Sequence, residues 1–165
     1  MHEGFATALS QVKDALDKTR PTIDCSLLVT GHSLGAAMAT LLVSAWANVQ
    51  ASMSLITFGS PRVGDSSFVA TLAKIANSRY VDCTDGVTRV PLEVMGYRHV
   101  GNPLYIDRTG NITPNPGDDF VHNDRVRAVE EYFLKYFAQR GNVGARELAD
   151  HAPINYVSAV MGIRV

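Results

Sequence analysis

A chain of 165 residues, 46% of them hydrophobic and 19% charged, is long enough for one substantial core and is expected to form a single domain over residues 1–165. Its formal net charge is −1 with no basic cluster, which argues against a nucleic-acid partner. No run approaches the roughly 18 apolar residues of a membrane span, and the opening "MHEGFATALSQVKDALDK" lacks both regions of a signal peptide. As written the chain is therefore expected in the cytoplasm, or outside the cell if an upstream segment has been removed.

Phe5, Leu9, Val12 and Leu16 recur at four, three and four residues, predicting an amphipathic helix that ends before Arg20-Pro21. A short buried strand follows over residues 25–30, then the corner "GHSLG". The helix predicted over residues 34–47 is apolar nearly all round and must pack on more than one side. "MSLITFG" reads as a second strand. Phe68, Val69, Leu72 and Ile75 form another helical stripe, and "SRYVDCT" a third strand. Strand, helix, strand, helix, strand with short connections predicts a parallel sheet covered by helices on both faces.

Beyond Asp85 the pattern changes. "YRHVG" and "LYID" read as short edge strands, with "RTGN" as a hairpin turn between "LYID" and "ITPN". A helix over residues 123–139 should bury Val126, Val129, Phe133 and Phe137, and a last helix Ile154, Val157 and Val160. Cys25 and Cys83 have no metal-type or C-x-x-C spacing and read as partly buried thiols. His, Cys and carboxylates form no close-spaced metal set either.

Gly31-His32-Ser33-Leu34-Gly35 fits G-x-S-x-G, with the apolar strand before it and the apolar helix after it that a nucleophile elbow requires. The two glycines are expected to leave room for a sharp strand-to-helix turn that lifts the Ser33 hydroxyl above the sheet edge. The same turn aims the Leu34 backbone N–H toward a developing oxyanion. A serine nucleophile needs a base, and the base needs an acid, in the chain order Ser, Asp or Glu, His. Asp85, just past the third strand, suits the acid better than Asp82 within the strand or Asp65, which reads as a helix N-cap. Among the histidines, His2 is terminal, His32 points along the elbow, and His99 in a short strand reads as structural. Chain order favours His122 or His151, and the physics of the sequence leaves both open.

"HEGF", "VTGHSLGAAMATL", "TFGSPRVGD", "YRHVG" and "DHAPINY" stand in the order seen in class 3 lipases, the fungal-type triacylglycerol lipase family, which the chain resembles over nearly its whole length. The resemblance implies an α/β-hydrolase fold and hydrolysis of acylglycerols or short-chain esters, with no cofactor and no metal. By similarity Ser33 is the nucleophile, Asp85 the acid, His151 the base and Leu34 the oxyanion donor, while His99 is structural. The spacing from Asp85 to Pro91 is longer than the family's.

Relative to the family the chain is N-terminally truncated, starting at the "HxGF" helix. The strands, second oxyanion donor and lid that normally precede it are expected to be missing. That leaves the first strand at the sheet edge, capped by a second copy in a homodimer or marking a fragment of a longer lipase. Without a lid, short or soluble esters are the expected substrates. The competing expectation is a weak or inactive remnant that serves as a binding or assembly domain.

Overall fold

The computed structural model describes residues 1–21, 25–50, 52–136 and 145–163. Helices and strands alternate as α1 (Glu3–Thr19), β1 (Leu27–His32), α2 (Leu34–Trp46), β2 (Met53–Phe58), α3 (Ser66–Thr71) and β3 (Ala76–Asp82). Then come β4 (Pro103–Ile106), β5 (Ile112–Pro114), α4 (Asp118–Tyr136), α5 (Arg146–Ala149) and α6 (Pro153–Val160). The sheet runs β1-β2-β3-β4-β5, parallel except for the β4–β5 hairpin. The Asp107 carboxylate shapes the hairpin turn by accepting the N–H groups of Thr109 and Asn111 at 2.8 and 3.0 Å.

Side chains alternate across the sheet, so register decides which face is buried. Leu27 pairs with Met53 and Val29 with Leu55, which puts these residues on the face that α2 covers. Small residues let α2 lie close: Ala36, Ala37, Ala39 and Val43 are buried. On its outer side α1 packs through Leu9, and Trp46 Nε1 donates to the Asp17 carboxylate at 2.8 Å. The near-uniform apolarity of α2 thus reflects partners on two sides. The opposite face carries Phe58 and Tyr80, stacked with ring centroids 5.0 Å apart, and α6 covers it there through Tyr156. Over β1 that face is open, with Leu28 57% exposed.

Four expectations are corrected. "YRHVG" is not a strand; only an isolated bridge joins Arg98 to Gly64. The stripe from Phe68 to Ile75 is not all helix: the six-residue α3 stops at Thr71, and the fully buried Leu72 and the half-buried Ile75 enter the core from the turn after it. α4 begins at Asp118 and leaves Val126, Val129 and Phe133 exposed, burying Asp124 and Ala128 instead. The reason is polar: the Asp124 carboxylate accepts from the Tyr105 hydroxyl, the Arg108 N–H and Arg108 Nη1, each at 3.0 Å. Phe137 lies outside the described residues. α6 likewise exposes Ile154, Val157 and Val160 and buries Tyr156 and Ser158.

The glycines of the elbow differ. A Cβ on Gly31 would sit 2.3 Å from the Gly35 carbonyl oxygen, a backbone clash that nothing can relieve without opening the β1–α2 crossing. A Cβ on Gly35 would meet nothing within 4 Å, so only the first glycine is sterically required. Gly35→Ala in the first turn of α2 should therefore leave the urea unfolding midpoint unchanged or raise it, by up to about 1 kcal/mol of stability. Gly31→Ala should lower it by roughly 1–3 kcal/mol or more. Equal effects at the two positions would contradict this steric account.

Candidate active site

β1 runs directly into Ser33, whose φ of 57° and ψ of −126° lie where non-glycine residues are rare. Such a conformation costs about 1–3 kcal/mol and persists only where the surroundings fix it. Here the Ser33 N–H donates to the Phe58 carbonyl at 3.0 Å, and its own carbonyl accepts from Ala36 and Ala37 at 3.0 and 3.2 Å. The turn presents the hydroxyl at the C-terminal edge of the sheet. It also leaves the Leu34 N–H, at the positive end of α2, without a hydrogen-bond partner among the described residues.

The Ser33 Oγ lies 2.8 Å from His151 Nε2. On the far side of the ring, Nδ1 lies 3.0 and 2.9 Å from the two carboxylate oxygens of Asp85. A carboxylate only accepts, so Nδ1 carries the hydrogen and Nε2 is free to accept the hydroxyl proton. Asp85 is completely buried. Its charge is met by the His151 ring, by the Val87 N–H at 2.9 Å and by the Tyr156 hydroxyl at 2.5 Å. This is a serine, imidazole and carboxylate in hydrogen-bonded sequence, suited to proton transfer away from the serine.

The sequence candidates sort cleanly. Ser33, Asp85 and His151 come together, with the Leu34 N–H beside them. His122 is exposed on α4, lining an open groove with Arg89 and Arg125, and takes no part. His99 Nε2 lies 2.8 Å from the Thr88 carbonyl oxygen, which can only accept, so this nitrogen carries the hydrogen and donates it. Burial and the nearby Arg79 hold its pKa down at about 3, so it is neutral, as its structural reading requires. Asp65 caps α3 by accepting from the Phe68 N–H. His2 lies against Phe5 and Tyr97, away from the serine.

Three residues near the site were not singled out beforehand. Tyr156, 2% exposed, joins β3 to the acid: it accepts from the Asp82 N–H at 3.1 Å and donates to Asp85. Gly59 has φ +58, and a Cβ there would come within 2.9 Å of Asp85 Oδ2 and 3.2 Å of the His151 ring, so its bare backbone makes room for the pair. Asp150 accepts from Thr84 N and Oγ1, both at 2.9 Å, and from Arg146 Nε at 3.2 Å, tying the His151 loop to the end of β3. Tyr156 and Asp150 both stand inside or beside "DHAPINY", and Gly59 inside "TFGSPRVGD", so the motifs were their only signal.

A parallel sheet with a serine on a strained strand-to-helix turn, an acid after a later strand and a histidine last defines the α/β-hydrolase class. Within it, the chain belongs to the class 3 lipase family: residues 1–95 match the family model described as Lipase (class 3). It is 32% identical over 122 residues to secreted mono- and diacylglycerol lipase A of Penicillium cyclopium, covering 70% of this chain and 40% of that one. Phospholipase A1-II 1 of Oryza sativa subsp. indica is 36% identical over 89 residues, 51% of this chain and 23% of the relative. The crystal structure of the mono- and diacylglycerol lipase from Aspergillus oryzae superimposes with a TM-score of 0.59 at 31% identity, over 69% of this chain and 47% of that one. The chain therefore spans less than half the length of these relatives.

Asp82 gives the site a pH signature. Burial first, and the neighbouring Asp150 second, push its carboxyl from 3.8 up to about 8. In the folded protein it keeps its proton across the interval between these values, while in the unfolded chain it has lost it. Stability from this group is thus fully present below about pH 4 and falls as pH rises toward 8. Asp82→Asn keeps an acceptor for the Cys83 N–H and removes the titration. Urea unfolding should show the variant gaining stability over the parent steadily from pH 5 to pH 8. A difference independent of pH would overturn the assignment.

Proposed function

We propose that this chain is a serine ester hydrolase that cleaves carboxylic esters, acylglycerols or short-chain esters, through a covalent acyl-enzyme. The observation that carries the reading is the hydrogen-bonded run from the Ser33 hydroxyl through the His151 ring to the fully buried Asp85. In this mechanism Ser33 Oγ attacks the ester carbonyl carbon while His151 Nε2 takes its proton. The carbonyl oxygen becomes an oxyanion that the Leu34 N–H stabilises. When the intermediate collapses, the C–O bond to the alcohol breaks and His151 returns the proton to the departing oxygen. Water, deprotonated by His151, then hydrolyses the acyl-Ser33 ester and frees the carboxylic acid. Throughout, Asp85 fixes the ring's tautomer and stabilises its positive form. The relatives named as acylglycerol lipases and as a phospholipase A1 support a glycerolipid ester as substrate. Two fungal relatives named as secreted lipases support action outside the cell.

The test is a panel of p-nitrophenyl esters of rising acyl length, run on this protein and on Ser33→Ala. The serine variant should lose roughly 10⁴-fold or more in kcat. Equal rates for the two proteins would refute the hydrolase reading and favour a binding or assembly role.

A further inference from the structure

His32, the last residue of β1, contacts the residue proposed as general base in two ways. Its Nε2 lies 2.9 Å from the main-chain carbonyl oxygen of His151. Because a carbonyl oxygen only accepts, this nitrogen carries a hydrogen and donates it. Its ring centroid lies 4.7 Å from that of His151, the planes inclined at 33°, and 5.7 Å from that of Tyr156 in an edge-on arrangement. Histidine at this position therefore does more than occupy the variable place in a turn.

Ser33 and His32 are consecutive, so nucleophile and neighbour grip opposite ends of one residue. Ser33 Oγ meets the tip of the His151 imidazole, while His32 holds the main chain from which that imidazole projects. The other bonds of this loop run elsewhere: Asp150 to Thr84, and the Gly86 N–H to the Glu147 carbonyl at 3.3 Å, both on the loop that carries Asp85. Those bonds set the base relative to the acid. Among the described residues, the His32 bond is the one that fixes the main chain of the base relative to the strand of the nucleophile.

We propose that His32 is a positioning residue for the chemical step: its donated hydrogen bond sets the separation of Ser33 and His151, and its ring restricts rocking of the imidazole. The inference rests on the hydrolase reading above. A misplacement of the order of 1 Å between reacting groups costs up to about 10²-fold in rate. The contacts of His32 are to His151 and Tyr156, groups on the side of the proton transfer, so the loss should appear in kcat and leave KM alone.

The experiment compares His32→Phe, His32→Gln and Ser33→Ala with the parent protein on p-nitrophenyl butyrate. For the parent and the His32 variants, turnover is normalised to active sites counted with a p-nitrophenyl alkylphosphonate, so loss of folded protein is not read as loss of rate; Ser33→Ala, with no hydroxyl to phosphonylate, is compared per mole of folded protein. Phenylalanine keeps a ring and removes the donor; glutamine keeps an N–H donor of similar reach. His32→Phe should lower kcat about 10- to 100-fold with KM within about twofold, and His32→Gln should recover to within about fivefold of the parent. If His32→Phe does not fold, His32→Asn, whose shorter amide stops short of the carbonyl, takes its place with the same expectation. Parent-like kcat in the donor-less variant, equal losses with glutamine, or a change confined to KM would each overturn the proposal. An active Ser33→Ala would instead overturn the hydrolase reading beneath it, while an inactive Ser33→Ala beside a fully active His32→Phe would overturn this inference alone.

Discussion

The close crossing of β1 and α2 is the constraint on which the rest of the site depends. Gly31 has no side chain, so the Gly35 carbonyl of α2 occupies the space where one would stand. With strand and helix that close, only Ser33 stands between them to reverse the chain, and it takes a positive φ. Its strain, about 1–3 kcal/mol, is small against the burial of α2, where each large apolar side chain contributes about 1.5–3 kcal/mol. The small residues Ala36, Ala37 and Ala39 serve the same crossing, because a bulkier first turn would lift α2 from the sheet. A single packing solution thus sets both the core and the presentation of the hydroxyl.

A second constraint is electrostatic. Asp82, Asp85 and Asp150 are all nearly or fully buried near the end of β3, with the Arg146 guanidinium and the His151 ring as their cationic or hydrogen-bonding company. Three charges cannot share such a place cheaply. The structure gives each a different solution: Asp82 stays protonated, Asp150 is paired with Arg146 and two Thr84 donors, and Asp85 faces His151, Tyr156 and a backbone N–H. Burial and the adjacent Asp85 push the Tyr156 phenol far above its ordinary value. It is therefore a permanent donor, able to hold the acid without competing for its charge.

The parts of the molecule legible in the sequence were those where apolar periodicity and packing coincide. β1 and β2 are largely apolar runs, and α2 is apolar on two sides because it meets both α1 and the sheet. Periodicity failed on α4 and α6 because polar partners chose the buried face. Asp124 must reach Tyr105 and Arg108, and Tyr156 must reach Asp85, so each helix is turned to bury those side chains and expose its valines. The same cause hid the proposed base: His122 and His151 differ in nothing that local spacing records. What separates them is a loop whose position is set by Asp150 and Thr84, 66 residues apart in the chain.

That loop holds the proposed base by hydrogen bonds more than by packing. Ser33 sits on the buried core, and Asp85 is itself fully buried, but His151 lies between two short helices whose Leu148 and Ile154 are exposed. Its placement comes from hydrogen bonds: Thr84 to Asp150, Gly86 to Glu147, Asn155 to the Ala149 carbonyl at 2.8 Å, and His32 to its own carbonyl. Each such bond contributes only about 0.5–1.5 kcal/mol net. Together they hold one geometry, whereas the loss of any one permits local opening at a cost well below that of global unfolding. The histidine of "GHSLG" belongs to this set, which ties the strand that leads into Ser33 to the loop that carries His151.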